Sequence, residues 1–335
     1  SPVVISVRQS IWDILWYRFR PNTHQNSYMD VRINGLGWRD REIPLPKSPD
    51  TVRIVCVGGS TTAWGPVNEV TYPKILEGLL RERFPGRHIE VVNAGVFGLD
   101  SIGEKNRSPD YLALEPDIIV HYNVVNDLSN MMPLLLHSPS DLAGNWHVRR
   151  WASPREMRDV IVPFQDQAGL CGRREWLHRS AFLHLRANAW LLPEDSVLKQ
   201  GLRDYTLNNM TSWMLAAHRD GVAMAVCSFA APDPEKMDRS QHDYFNNLLM
   251  NSALGEVVDL DSHCHVVELY NQLVRELCAQ SGFTYIPVAE NVHGGMDYFL
   301  DICHFYCPGM EKQAQAITEG VAPLVEQLLA EKQAV

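Results

Sequence analysis

The sequence predicts an α/β protein, a three-layer α/β/α sandwich around a five-stranded parallel sheet, carrying an N-terminal extension and helical insertions. Short β-branched apolar runs recur from residue 51 onward, and amphipathic helical stretches separate them. That alternation is the pattern of a parallel sheet covered by helices on both faces. Hydrophobic residues make up 45% of the 335, enough for one large core.

Taken in order, Val52 to Val57 is the first strand and ends in Gly58-Gly59-Ser60. Tyr72 to Phe84 puts Ile75, Leu76, Leu79, Leu80 and Phe84 on one helical face. Ile89 to Val92 is the second strand, ending at Asn93-Ala94-Gly95, and Asp117 to Tyr122 the third, ending near Asn126-Asp127. Leu202 to Arg219 reads as a helix with Leu207, Met210, Met214 and Leu215 as its stripe, stopped by Gly221 before the fourth strand, Val222 to Phe229. A helix over Val266 to Gln280 leads to the fifth strand, Phe283 to Val288. Glu311 to Lys332 closes the chain as a helix with Ala314, Ile317 and Val321 inward.

Two segments interrupt this rhythm, about 129–200 and 231–261, and are read as insertions at the carboxyl edge of the sheet within one domain spanning 51–335. Residues 1–50 form an extension packing on that core. In it Ile11, Leu15, Trp16 and Phe19 make a helical stripe, and Asn34 to Trp38 an irregular turn.

Charge narrows the partners. Thirty basic against forty acidic residues give a net charge of −10, the wrong sign for a nucleic-acid binder. No stretch approaches the roughly 18 to 20 apolar residues of a membrane-spanning helix. Seven cysteines are an odd number, so a fully paired disulfide framework is excluded.

Ligands of open parallel sheets bind outside the carboxyl ends of the strands, so the residues following the strands are the candidates for chemistry. Gly58-Gly59-Ser60-Thr61-Thr62 places a hydroxyl at a strand-to-helix turn; it is neither a Walker loop nor Gly-x-Ser-x-Gly, and alone it reads equally as a helix cap. Near the C-terminus, Asp301-Ile302-Cys303-His304 spaces a carboxylate so that it can hold an imidazole Nδ1–H and leave Nε2 to deprotonate a serine. In isolation that spacing also fits a capped turn with a surface histidine.

Together these blocks resemble the SGNH hydrolases, also called the GDSL lipase/esterase family. Val55 to Thr62 resembles the first block, with Ser60 as nucleophile. Asn93-Ala94-Gly95-Val96 resembles the second, Val124-Val125-Asn126-Asp127 the third, and Asp301 with His304 the fifth. Gly59 stands where the name-giving motif has Asp, and Val124 where the third block has Gly. The resemblance implies a flavodoxin-like SGNH hydrolase sheet, a Ser60-His304-Asp301 triad, and an oxyanion hole formed by Ser60, Gly95 and Asn126. It implies no metal and no cofactor.

The upstream string Asn34-Gly35-Leu36-Gly37-Trp38-Arg39 resembles the lead-in of a bacterial subgroup that often carries an N-terminal membrane anchor. This points to an extracytoplasmic or membrane-associated site, with the N-terminus near a membrane. His293 is a rival base on the same loop. His263-Cys264-His265 and the Cys303 to Cys307 stretch lack zinc-site spacing, and a Cys303–Cys307 disulfide would constrain the loop of His304.

The expected reaction is hydrolysis of a short-chain ester, acetyl foremost, on a small polar or carbohydrate substrate. O-acyl transfer by the same triad and a binding module without activity are the alternatives. Trp64, Asp127, Arg149 and Arg150 are candidates for substrate contact. The last two belong to a stretch, Trp146 to Trp190, with eight arginines against four acids, read either as a lid or as a solvated surface.

Overall fold

The computed structural model describes residues 12–13, 18–136, 192–251 and 258–333. Five strands form one parallel sheet: β5 (Thr51–Val57), β6 (His88–Asn93), β7 (Ile118–His121), β8 (Ala223–Cys227) and β9 (Thr284–Ile286), in the order β6-β5-β7-β8-β9. The four short strands before them pair as two hairpins: β1 (Trp12–Asp13) with β2 (Arg18–Phe19), and β3 (Thr23–Asn26) with β4 (Asp30–Ile33). All seven residues of β5 and all four of β7 are buried, Arg53 and His121 included, as in strands covered by helices on both faces.

The helices are α1 (Ser60–Ala63), α2 (Tyr72–Arg83), α3 (Ser101–Leu112), α4 (Val125–Leu136), α5 (Asp195–Leu202), α6 (Asn208–Arg219), α7 (Arg239–Asn251), α8 (Leu260–Ser281), α9 (Val288–Asn291) and α10 (Cys307–Gln333). A π-helical turn, Arg203–Leu207, joins α5 to α6, so the helix expected from Leu202 begins earlier and is wound differently at its start. Within its predicted stripe Met210 and Met214 are buried, whereas Leu215 faces solvent. Gly282 ends α8 in the left-handed conformation, φ 71°, which a side chain would strain. No helix among the described residues is long and apolar enough to cross a membrane.

One expectation is corrected. Phe19 lies in a strand paired with Trp12, not on a helical stripe; Ile11, Leu15 and Trp16 lie outside the described residues. The insertion expected over 129–200 has its first residues in α4, which carries the chain through Ser129 to Leu136. Its arginine-rich part, with Arg149 and Arg150, lies outside the described residues.

The stretch before the sheet supplies part of the core. Met29, Val31, Ile33 and Trp38 are buried in the same cluster as the sheet residues. Arg39 is wholly buried: its guanidinium donates to the Ala63 and Gly65 carbonyls at the end of α1, and its Nε to Asn68 Oδ1 at 3.1 Å. Burial pulls its pKa down to about 10, so it stays charged at neutral pH. The next residue, Asp40, accepts from the Asn93 amide at 2.8 Å and pairs with Lys74 at 2.7 Å. Two adjacent residues of the extension therefore hold the ends of both segments that follow β5 and β6.

Removing the guanidinium in Arg39→Ala leaves those carbonyls without a donor, at about 1–3 kcal/mol for each buried orphan. The variant is expected to lose about 2 kcal/mol or more, read as a lower urea midpoint at unchanged slope. An unchanged midpoint would show that the clamp carries no stability.

Candidate active site

The turn after β5 has no room for side chains. A Cβ at Gly58 would collide with the Tyr122 carbonyl oxygen and the Thr62 hydroxyl, and one at Gly59 would come within 2.6 Å of Asn126 Nδ2. A Cβ at Gly95 would strike the backbone of Ala63. Glycine at these three positions lets the segments after β5, β6 and β7 close on one another. Thr62 Oγ1, one turn into α1, donates to the Tyr122 carbonyl at 3.2 Å and ties that helix to the end of β7.

Ser60 opens α1, where backbone N–H groups lack intrahelical acceptors and the helix dipole favours negative charge. Its Oγ lies 2.8 Å from His304 Nε2. On the other side of the ring, His304 Nδ1 lies 2.7 Å from Asp301 Oδ2. Asp301 Oδ1 accepts from the backbone amides of Cys303, at 2.9 Å, and His304, at 2.8 Å. With a carboxylate facing Nδ1, the ring carries its proton there and turns the Nε2 lone pair to Ser60. Burial works to raise the Asp301 carboxyl, but the hydrogen bond and charge of His304 and the two amides outweigh it and hold the carboxyl below its usual range.

The loop bearing this pair is pinned. Leu300 N donates to the His304 carbonyl at 2.8 Å, and Phe299 and Phe305 form a bridge with their rings 4.7 Å apart. Trp64, four residues after Ser60, donates from Nε1 to the Phe305 carbonyl at 3.0 Å, and its ring lies 4.6 Å from the His304 ring. The rival base, His293, is exposed, whereas His304 is the imidazole facing Ser60.

Asn126 and Gly95 flank the nucleophile turn. Asn126 Nδ2 donates one hydrogen to the Leu99 carbonyl at 3.0 Å, which leaves its second N–H. The Gly95 amide donates to Asn93 Oδ1 at 3.1 Å. Behind them is a buried polar group that the sequence did not reveal: Glu104 accepts from Asn123 Nδ2 at 2.7 Å and lies 2.8 Å from His121 Nε2, while Asn123 also donates to Leu99 O.

Asp127 does not face the site. It is buried, both oxygens accept from the Ser101 amide, and burial drives its carboxyl well above its ordinary range. Its placement therefore corrects the expected substrate contact to a role in seating α3.

A cavity of about 260 Å³ opens onto Ser60 and His304, walled by Trp64, Phe97 and, from the β3–β4 hairpin, Gln25, Tyr28, Met29 and Val31. A larger depression of about 460 Å³ between α9 and α10, lined by Lys312 and Glu319, lies away from this chemistry. His263, Cys264 and His265 lie along α8 and face different partners; Cys264 Sγ donates to Pro232 O and His265 Nε2 meets Asp195 Oδ1 at 2.8 Å. Cys303 and Cys307 are not joined by a disulfide.

No protein-family model and no curated protein matches the sequence. Among solved structures, the chain is similar to an α/β hydrolase enzyme from the metagenome of Lake Arreo, Spain, at 16% identity and a TM-score of 0.44, over 81% of this chain and 95% of that one. It is similar to an acetyl xylan esterase from Geobacillus stearothermophilus at 14% identity and 0.44, over 82% and 97%. It is also similar to a GDSL-like lipase from Bacteroides thetaiotaomicron at 12% and 0.41, over 82% and 88%.

The lowered Asp301 pKa fixes a pH dependence. Its stabilising bonds are fully present above the ordinary carboxyl value of 3.8 and are lost as pH falls below it through the folded-state value. The stability gap between the parent and Asp301→Asn is expected to shrink as pH falls below about 4. Denaturation at stepped pH measures it, and a gap that stays level or widens from about pH 4 to about pH 2 would contradict the assignment.

Proposed function

We propose that the chain is a serine ester hydrolase of the SGNH type, acting on short acyl esters of a polar substrate. The hydrogen-bonded series Ser60 Oγ, His304 Nε2, His304 Nδ1, Asp301 Oδ2 supports this reading, since it orders a nucleophile, a base and an orienting carboxylate in one line. His304 takes the Ser60 proton as Oγ attacks the ester carbonyl. Asp301 steadies the imidazolium, which then protonates the departing alcohol. A water activated by the same ring releases the acyl group.

The oxyanion would be met by the Ser60 amide, the second Asn126 N–H and the Gly95 amide, the last shared with Asn93. One such donor is worth on the order of 3 kcal/mol in the transition state. Among the described residues, Met29, Val31, Phe97 and Trp64 give the cavity an apolar wall, and its 260 Å³ suits a short acyl chain such as acetyl. The alcohol side would extend outward, toward solvent, and Arg149 and Arg150 remain candidates for its contact on the sequence alone.

Ser60→Ala and His304→Ala are each expected to lower kcat on a chromogenic acetate ester by about 10⁴-fold or more, and Asp301→Asn by about 10⁴-fold through the wrong tautomer. His293→Ala should stay within severalfold of the parent. Full hydrolysis by Ser60→Ala would overturn the reading. Product analysis with sugar acceptors decides between water and a hydroxyl as the second substrate, and transfer outrunning hydrolysis would make the protein an acyltransferase.

A further inference from the structure

Next to the Asp301–His304 pair lies a thiol that ester hydrolysis does not require. Cys303 Sγ is 3.4 Å from Asp301 Oδ1 and 3.4 Å from His304 Nδ1. Carboxylate oxygen, thiol sulfur and imidazole nitrogen all lie within 4.8 Å of one another, and this is the one such convergence of three ligand-type side chains among the described residues. We propose that Asp301, Cys303 and His304 bind a thiophilic divalent cation of the Zn²⁺ kind, and that the bound ion switches the nucleophile off.

Zinc binds sulfur at about 2.3 Å, and nitrogen and oxygen at about 2.0–2.2 Å, so a tetrahedral site sets its ligand atoms about 3.4–3.6 Å apart. The Sγ–Oδ1 and Sγ–Nδ1 separations already have that length. The Nδ1 contact to the other carboxylate oxygen, Oδ2, at 2.7 Å, opens once the proton between those atoms leaves. The donors are held in advance, because Asp301 Oδ1 is fixed by two backbone amides and the loop by its bridge. The Asp301 side chain is 31% exposed and gives the ion its way in, with buried Cys303 as the back wall. One sulfur, one nitrogen and one oxygen, with water in fourth place, suit a borderline-soft ion.

On binding, the thiol proton passes to solvent. The single proton of the neutral ring leaves Nδ1 for solvent while Nε2 takes one up from water, so that the ion takes the place of the thiol and Nδ1 protons. A neutral imidazole whose Nδ1 holds a metal carries its one proton on Nε2. That nitrogen then donates to Ser60 Oγ instead of accepting from it, and the base is gone. The inhibitory step rests on the hydrolase reading; the binding step does not.

The test uses Co²⁺ as a spectroscopic probe and Zn²⁺ as the inhibitor. The parent and Ser60→Ala are both expected to develop a thiolate-to-cobalt charge-transfer band that Zn²⁺ displaces and a chelator abolishes. Zn²⁺ should inhibit the parent reversibly. Loss of even an outer-sphere partner costs about 10- to 100-fold in metal affinity, so Cys303→Ser should erase the band and raise the Zn²⁺ needed for half-inhibition at least about tenfold. Cys307→Ser, an exposed thiol nearby, should change neither.

If Cys303→Ser does not fold, alkylation of the parent decides: Zn²⁺ protects Cys303 in peptide maps, and unprotected labelling overturns the site. No band in the parent, a band that survives Cys303→Ser, or one lost with Cys307→Ser also overturns it. An inactive parent that still shows the band would sink the hydrolase reading while leaving the metal site standing.

Discussion

The site depends on how closely three strand ends approach one another. Ser60 reaches His304 across 244 positions of sequence only because its turn lies directly against the segments leaving β6 and β7. Gly58, Gly59 and Gly95 make that approach possible, each at a point where a Cβ would meet backbone or the Asn126 amide. The substitution of Gly for Asp at position 59 fits this packing. The carboxylate of the usual motif would need space that Asn126 and Asn123 occupy here.

Close approach needs something to hold it, and the N-terminal stretch supplies it. Arg39 takes the carbonyls at the end of the short helix that begins with Ser60, and Asp40 takes the amide two residues before Gly95. A four-residue helix has almost no stability of its own, so its position is set by such contacts rather than by propensity. The same stretch lends Met29 and Val31 to the cavity. What precedes the sheet in sequence thus supports the helix that Ser60 opens and forms one wall of the cavity beside it.

Much of this was legible in the sequence for a physical reason. Strands buried on both faces are largely apolar, so β5 and β7 stood out despite Arg53 and His121, and ligands of parallel sheets bind beyond strand ends, where Ser60, Gly95 and Asn126 lie. Asp301 and His304 were legible because their partnership is local. Helix α3 was not predicted, because its buried face is largely polar: Ser101, Glu104 and Arg107 are inside, so no apolar stripe marks it. Arg39 and the Glu104–His121–Asn123 group were missed for the same reason. A lone charged residue in a turn gives no sign that distant carbonyls will surround it. Phe19 misled because two-residue strands are too short to show a period.

The central claim is that Ser60 is the nucleophile that His304 activates. A fluorophosphonate probe, which reacts only with an activated hydroxyl, tests it when labelling is followed by peptide mapping. One label is expected, on Ser60, and it should disappear in His304→Ala while remaining in His293→Ala. Labelling at any other residue, or labelling of Ser60 that persists without His304, would contradict the account.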